Sequence, residues 1–286
     1  MARGLSRRGL RTAVSLGMLT ALAGCAAVAP APQHIDITLI GFNDLHGHLE
    51  PPRLAVRVPG PDGAVAVPAG GAAYLASAIA ALKASNPHHA VVSAGDMVGA
   101  SPLVSALFLD EPTIEAVNRM QIDFNAVGNH EFDHKGTGFA EMLNSAKAAQ
   151  QAAVELLLVD ARPLEDMDAY RERFGPVTPV LPTLLEANYA PADDNPDRAF
   201  IRSAMENYGV TDCVTLERGG VTYGLFGLMG VDSDECAPTS GFTRTDAAKA
   251  AKRCVETLKG EGAEIIICLS HSGTGDSLAS SEDEEL

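Results

Sequence analysis

Basic residues are scarce in this 286-residue chain: 21 lysines and arginines stand against 37 aspartates and glutamates, a formal net charge of −16 at pH 7. A nucleic-acid partner needs a basic face, so the balance argues against one. Long apolar runs are missing too. The one candidate, residues 12–23, falls short of the roughly 20 residues that cross a bilayer as a helix. No internal repeat occurs, which excludes solenoids and propellers. Cysteines number only five, and their spacing fits no zinc knuckle. With Cys25 set aside, Cys213, Cys236, Cys254 and Cys268 permit two disulfides or four buried free thiols, and both readings stand.

What is present is enough for a core: 46% of residues are hydrophobic, and the length suits one large domain or two small ones. The N-terminus is set apart. Arg3, Arg7, Arg8 and Arg11 precede the short apolar run, which ends in Leu22-Ala23-Gly24-Cys25. Residues 1–25 thus resemble a bacterial lipoprotein signal with Cys25 as the lipidated residue, the alternative being an ordinary secretory signal. Arg7-Arg8 also resembles a twin-arginine export signal. Without these four arginines, 17 basic residues remain against the 37 acidic ones. The Ala/Pro-rich residues 26–33 read as a tether, and the folded part is expected over residues 34–286.

Along that part, residues 51–71 are dense in Pro and Gly and are expected as loop, and residues 72–84 as helix. Residues 101–120 read as helix interrupted at Pro112. A helical pattern over residues 137–155 leads into a charged, Pro-punctuated stretch. Residues 211–216 and 221–229, joined by Arg218-Gly219-Gly220, read as a hairpin, and residues 245–259 as an amphipathic helix.

Four apolar runs end in residues that ligate metals. Residues 35–42 lead to Asn43-Asp44-Leu45-His46-Gly47-His48, and residues 90–93 to Gly95-Asp96-Met97. Residues 124–127 lead to Gly128-Asn129-His130-Glu131 and Asp133, and residues 265–270 to His271. Runs of this kind are strands of an α/β fold, whose sites form at the carboxyl ends of the strands. Carboxylate oxygen and imidazole nitrogen together suit Mn, Fe or Zn better than Mg or Ca. Asp96 has two carboxylate oxygens and can bridge two cations. His48 reads as a rim residue, Glu131 as a structural hydrogen-bonding group, and Met97 and Phe132 as packing beneath the loops.

In wording, order and spacing these motifs resemble the calcineurin-like metallophosphoesterases, and among them the bacterial secreted 5′-nucleotidase and cyclic phosphodiesterase branch. The resemblance runs from about residue 37 to the C-terminus. It implies a four-layer α/β/β/α sandwich with two mixed sheets, and two divalent metal ions held by Asp44, His46, Asp96, Asn129 and His271. It also implies that His130 is the general acid, held in orientation by Asp133. Residues 140–186 then read as an insertion before Ala187-Asn188. The resemblance implies further that the family's Gly-His-x-His, one ligand for each metal, would follow the end of this sequence. Ser281 and Glu284 make a capping box for a helix that Leu286 cuts short, so the domain reads as C-terminally incomplete. Alone, the chain is expected to bind metal weakly and to turn over slowly.

The expected substrate is a nucleotide or another small phosphate ester, met outside the cytoplasm by a protein anchored through Cys25 in the periplasm or at the outer membrane. Such an anion approaches against the overall field, so local attraction must come from the metal ions. A 5′-nucleotidase is the first expectation. A 2′,3′-cyclic phosphodiesterase or other phosphoester hydrolase and a non-catalytic metal- or phosphate-binding lipoprotein are the alternatives.

Overall fold

A computed structural model describes residues 34–52, 55–61, 63–159, 182–230 and 241–273. The expected leader and tether, residues 160–181 of the expected insertion, Cys236 and the capping box at Ser281 lie outside the described residues. The elements described below all lie in one compact unit, Asp36–Leu286.

Its centre is two sheets. β1 (Thr38–Phe42), β4 (His89–Ser93), β5 (Phe124–Ala126) and β6 (Thr183–Leu185) lie side by side in that order, all parallel. Val91, Val92 and Ile40 are the buried apolar residues that parallel strands covered on both faces require. The second sheet, in the order β11 (Ile265–His271), β9 (Val221–Met229), β8 (Cys213–Arg218), is mixed: β11 runs parallel to β9 and β8 antiparallel. Mixing of strand direction, expected in both sheets, is confined among the described strands to this one.

Three apolar layers bind the sheets and helices. Val92, Phe124, Ala126 and Leu185 of the first sheet meet Tyr223, Leu225 and Leu269 of the second. On the outer side of the first sheet, α1 (Ala72–Ser85) and α3 (Glu111–Met120) bring Ile79, Val117 and Met120 onto Ile40 and Val91. On the outer side of the second, α6 (Ala247–Gly260) lays Ala250, Cys254 and Leu258 on Phe226 and Leu228. Those spacings of four residues make one helix face. A Cβ at Gly224 would come within 2.8 Å of Leu258, so glycine there lets helix and sheet approach closely. α6 starts where expected because the Asp246 side chain accepts the Lys249 amide, at 2.8 Å. The expected α/β/β/α sandwich is the fold found.

Cys213, Cys254 and Cys268 are free thiols, but of the three only Cys254 is buried, so the reading of buried thiols holds for Cys254 alone. The expected hairpin is present as β8 and β9. α4 (Lys135–Val159) covers the expected helical stretch, and Phe139, Ala140 and Leu143 pack against Phe132, Ile201 and Ala204. Ile201 and Ala204 belong to α5 (Arg198–Tyr208), which ends at Gly209 in a left-handed cap. A small ladder joins β7 (Tyr189–Pro191) to β10 (Phe242–Arg244). Among the described residues no helix is long and apolar enough to cross a membrane.

Two expectations need correction. The stretch expected as loop contains a hairpin, β2 (Ala55–Gly60) with β3 (Gly63–Pro68). Alternating Val56, Val58, Val65 and Val67 favour strand, and Gly60 opposite Gly63 permits the turn. The helix over residues 101–120 is broken before Pro112, not at it. α2 (Leu103–Ala106) ends, and α3 begins after Asp110 with Pro112 in its first turn, where the missing N–H costs nothing.

Candidate metal centre

Because β1, β4 and β5 are parallel, the loops after them share one edge, and β11 delivers His271 to the same place. Pairing continues past the strand ends. The amides of Asp44, His46 and Gly47 donate to the carbonyls of Gly95, Asp96 and Met97, at 3.1, 3.0 and 3.2 Å. Asp44, His46 and Asp96 all have positive φ, at 54°, 44° and 53°. Non-glycine residues rarely adopt this conformation and cluster at functional sites when they do. Gly95 (φ 108°) allows one close approach. A Cβ there would lie 2.8 Å from both the Gly128 nitrogen and His271 Nδ1.

All seven sequence-predicted site residues meet at this edge. Asp96, only 2% exposed, is the centre. Its Oδ2 lies 3.5 Å from His46 Nε2 and 3.2 Å from His271 Nε2, and its Oδ1 accepts the His130 amide at 2.9 Å. Asp44 Oδ1 is 3.5 Å from His46 Nε2, and Asn129 Oδ1 is 2.9 Å from His271 Nε2. Donor atoms of His46, Asp96 and His130 lie within 4.8 Å of one another, as do those of Asp44, Asp96 and His271.

These spacings suit metal ligation. Bonds of ~2.1 Å at ~90–109° around one cation set neighbouring donors about 3.0–3.4 Å apart. Ring orientation fits as well. Nδ1–H of His46 donates to the Gly99 carbonyl at 3.0 Å and that of His271 to the Ala94 carbonyl at 2.9 Å, which turns both Nε2 atoms toward Asp96. His130 differs: its Nδ1–H donates to Asp133, 3.0 Å away, so Nε2 is the nitrogen left for other work.

The electrostatics follow from burial and pairing. Burial would push the Asp96 carboxyl up, but the His271 hydrogen bond and charge outweigh it and hold the group below the usual range. Burial likewise disfavours charged His271, yet Asp96 pushes it up to about 9. Glu131 is fully enclosed, and burial with the Asp96 charge pushes it up to about 7. It accepts the amides of Asp96 and Met97 at 3.1 and 2.8 Å and that of Gly128 at 2.7 Å, the structural role expected of it. Met97 and Phe132 are buried beneath the loops as expected, and His48 is exposed at the rim.

Sequence reasoning missed several supports. Asp110, buried, accepts the Gly99 amide at 3.2 Å and the Ser105 hydroxyl at 2.6 Å, fixing the loop whose carbonyl orients His46. No motif marks Asp110, and carbonyls such as those of Gly99 and Ala94 carry no residue signal at all. Glu186, just past β6, was also missed. Its Oε1 accepts the amides of Asn188 and Tyr189, while its buried Oε2 has no partner among the described residues. Burial pushes this carboxyl up to about 8. The folded state therefore retains a proton that the unfolded chain releases at about 4.5, and stability falls as pH rises between those values. Glu186→Gln keeps the acceptor and offers a donor at the unpaired position. Unfolding free energies from urea titration should match wild type near the lower value and exceed it above pH 8, by on the order of a few kcal/mol. Equal values at both ends would show that Glu186 ionises freely in the fold.

No family model matches the chain. A Treponema pallidum protein named "Probable 5′-nucleotidase" is 29% identical over 265 residues, covering 91% of this chain and 36% of that protein. The Haemophilus influenzae NAD nucleotidase superposes with a TM-score of 0.58 at 20% identity, over 83% of this chain and 34% of that one. The calcineurin-like phosphoesterase YfkN of Bacillus subtilis superposes with a TM-score of 0.51 at 17% identity, over 86% and 65%. The chain thus spans less than two thirds of each of these relatives. Sandwich and superpositions give the chain the fold of the calcineurin-like phosphoesterases. Proteins named as 5′-nucleotidases are among those its sequence is similar to.

Proposed function

We propose that the protein hydrolyses phosphate esters at a pair of divalent cations, acting as a 5′-nucleotidase on nucleotides outside the cytoplasm. The observation that carries this reading is two groups of donors converging on the shared, buried carboxylate of Asp96. Asp44 and His46, 3.5 Å apart, would hold one cation and Asn129 and His271, 2.9 Å apart, the other, with Asp96 between them; Asp44 also lies within reach of His271. Mn, Fe and Zn suit this mixed oxygen and nitrogen set better than Mg or Ca. When bound, such a pair supplies an activated water and neutralises the phosphoryl oxygens.

The chain's own residues supply the rest. Glu131 keeps the Gly-Asp and Gly-Asn loops at a fixed separation. Asp133 holds Nδ1–H of His130, so that in the protonated ring the Nε2 hydrogen is the one available to the departing oxygen. The leaving alcohol then departs protonated. Lipid attachment at Cys25, with export to the periplasm or outer membrane, belongs to the same proposal and would bring the site to extracytoplasmic nucleotides.

The test is hydrolysis of AMP, a 2′,3′-cyclic nucleotide and an aryl phosphate by the purified protein, with added Mn²⁺ and with chelator. Mn²⁺-dependent turnover of AMP in preference to the other two is expected. Cyclic nucleotide alone would make the protein a cyclic phosphodiesterase. Metal binding without turnover of any of the three would leave a binding protein.

A further inference from the structure

The second sheet changes partner toward the end of β9. Its ladder with β8 stops where Cys213 faces Phe226, while its ladder with β11 continues to His271 opposite Met229. On the edge that β8 leaves, the link after β6 takes over. The Ala187 amide donates to the Gly227 carbonyl at 3.0 Å. Beyond it, Nδ2 of Asn188 donates to the Met229 carbonyl at 2.8 Å and Oδ1 accepts the Met229 amide at 2.9 Å. One side chain thus imitates a strand. Asn188 is itself held, because its amide donates to Glu186 Oε1 at 3.0 Å and its carbonyl accepts the Thr245 amide at 2.7 Å. Asn188 is 1% exposed and Met229 fully buried, so these backbone groups have no water to replace a lost partner. The sheets also come closest here: a Cβ on Gly227 would collide with the Leu185 carbonyl.

We propose that Asn188 is a positioning residue of the candidate metal centre, holding the end of β9 so that His271 stands where it can share a cation with Asn129 and Asp96. The proposal rests on the two-cation reading above and adds to it a residue that touches neither cation. Asp44, His46, Asp96 and Asn129 follow strands of the first sheet, and of the proposed ligands His271 alone comes from the second. Its place therefore depends on how the sheets are registered at this edge. His271 is tied to β9 opposite Met229, and its carbonyl accepts the Gly230 amide at 2.9 Å, so whatever fixes Met229 fixes His271. Asn188 fixes Met229 from the link after β6, and β6 pairs with β5, the strand that leads to Asn129. The Ala94 carbonyl turns the His271 ring, and Asn188 sets the backbone that carries it. Tolerance is small. His271 Nε2 stands 2.9 Å from Asn129 Oδ1 and 3.2 Å from Asp96 Oδ2, and a slip of ~1 Å would take it out of a shared coordination sphere.

The test is Zn²⁺ binding to the full chain by calorimetry, titrated far enough to fill weak sites, in wild type, Asn188→Ala, His271→Ala, the double variant of these two, and Leu258→Ala. Leu258 is buried against Gly224 rather than Met229, so its loss shows what reduced stability alone does to binding. Circular dichroism checks each fold. In Asn188→Ala one cation is expected to bind about 10–100-fold more weakly and the other as in wild type. Leu258→Ala should change neither, and the double variant should bind as His271→Ala does, because Asn188 acts through His271. Equal weakening of both cations, no weakening, a further loss in the double variant, or the same selective loss in Leu258→Ala would overturn the proposal. Wild type that binds no Zn²⁺ would overturn the two-cation reading and this proposal together, whereas two equally tight cations in wild type and Asn188→Ala would sink the proposal alone. If Asn188→Ala does not fold, wild type decides. Bound Zn²⁺ should then slow exchange of the Met229 amide by a larger factor than that of the Ala250 amide in α6, and equal slowing or none would end the proposal.

Discussion

Asp96→Ala should strip the protein of both cations. Asp96 is the residue on which both donor groups converge, with Oδ2 within 3.5 Å of His46 Nε2 and 3.2 Å of His271 Nε2. Without it each group loses its shared anion, and two half-buried imidazoles face each other with nothing between them to balance a cation. The His130 amide also loses its acceptor. Asp96→Asn is the sharper variant, since it keeps the shape and an oxygen for that amide while removing the charge. Metal content after dialysis against Mn²⁺ is the measurement. At Mn²⁺ concentrations high enough to fill weak sites, the expected result is two equivalents in wild type and essentially none in either variant. Two equivalents retained in Asp96→Asn would remove the bridging role.

His130→Ala should have the opposite profile: metal content intact and turnover lower by about 10²–10⁴. The basis is the Asp133 contact at 3.0 Å, which commits Nδ1 and leaves Nε2 for proton transfer. The geometry also states the competing role, because a His130 nitrogen lies within 4.8 Å of donor atoms on His46 and Asp96. A ligand would take a cation with it when removed, whereas a proton donor would not. Loss of one equivalent in His130→Ala would therefore reassign the residue. Unchanged turnover would take it out of the chemistry. Asp133→Asn is expected to lower turnover less, since the ring remains and only its orientation and charge balance suffer.

Much of this edge was legible because strands written as apolar runs stop abruptly at polar residues. Ile40, Val91 and Val92 have no polar partner to satisfy, so they must be covered, and Asp44, Asp96 and Asn129 follow them on one edge. The α6 face was legible for the same local reason, whereas its Asp246 cap was not read from the sequence. The hairpin over residues 55–68 was hidden because Pro and Gly outweighed the alternating valines, which lie largely exposed and so bury little to advertise a strand. The break between α2 and α3 was hidden in another way. It depends on left-handed Leu109 and Asp110, which no composition announces. Left-handed Asp44, His46 and Asp96 are hidden likewise, since their backbone conformation is imposed by pairing between the two loops. Asp110 and Glu186 act through contacts distant in sequence from the motifs, and spacing cannot reveal them.

The carboxylate of Glu131 gathers amides from two different loops, those of Asp96 and Met97 on one side and Gly128 on the other. Neither loop can swing away without leaving a buried charge or a buried N–H alone, so the two open together or not at all. In amide hydrogen exchange these three protons should therefore leave on a common timescale and rank with the most protected in the domain, unlike the graded exchange of independently mobile loops. A cation arriving here would find its surroundings already assembled. Its affinity would then owe little to loop ordering, and the kinetic barrier to metal release would be the unlatching of Glu131.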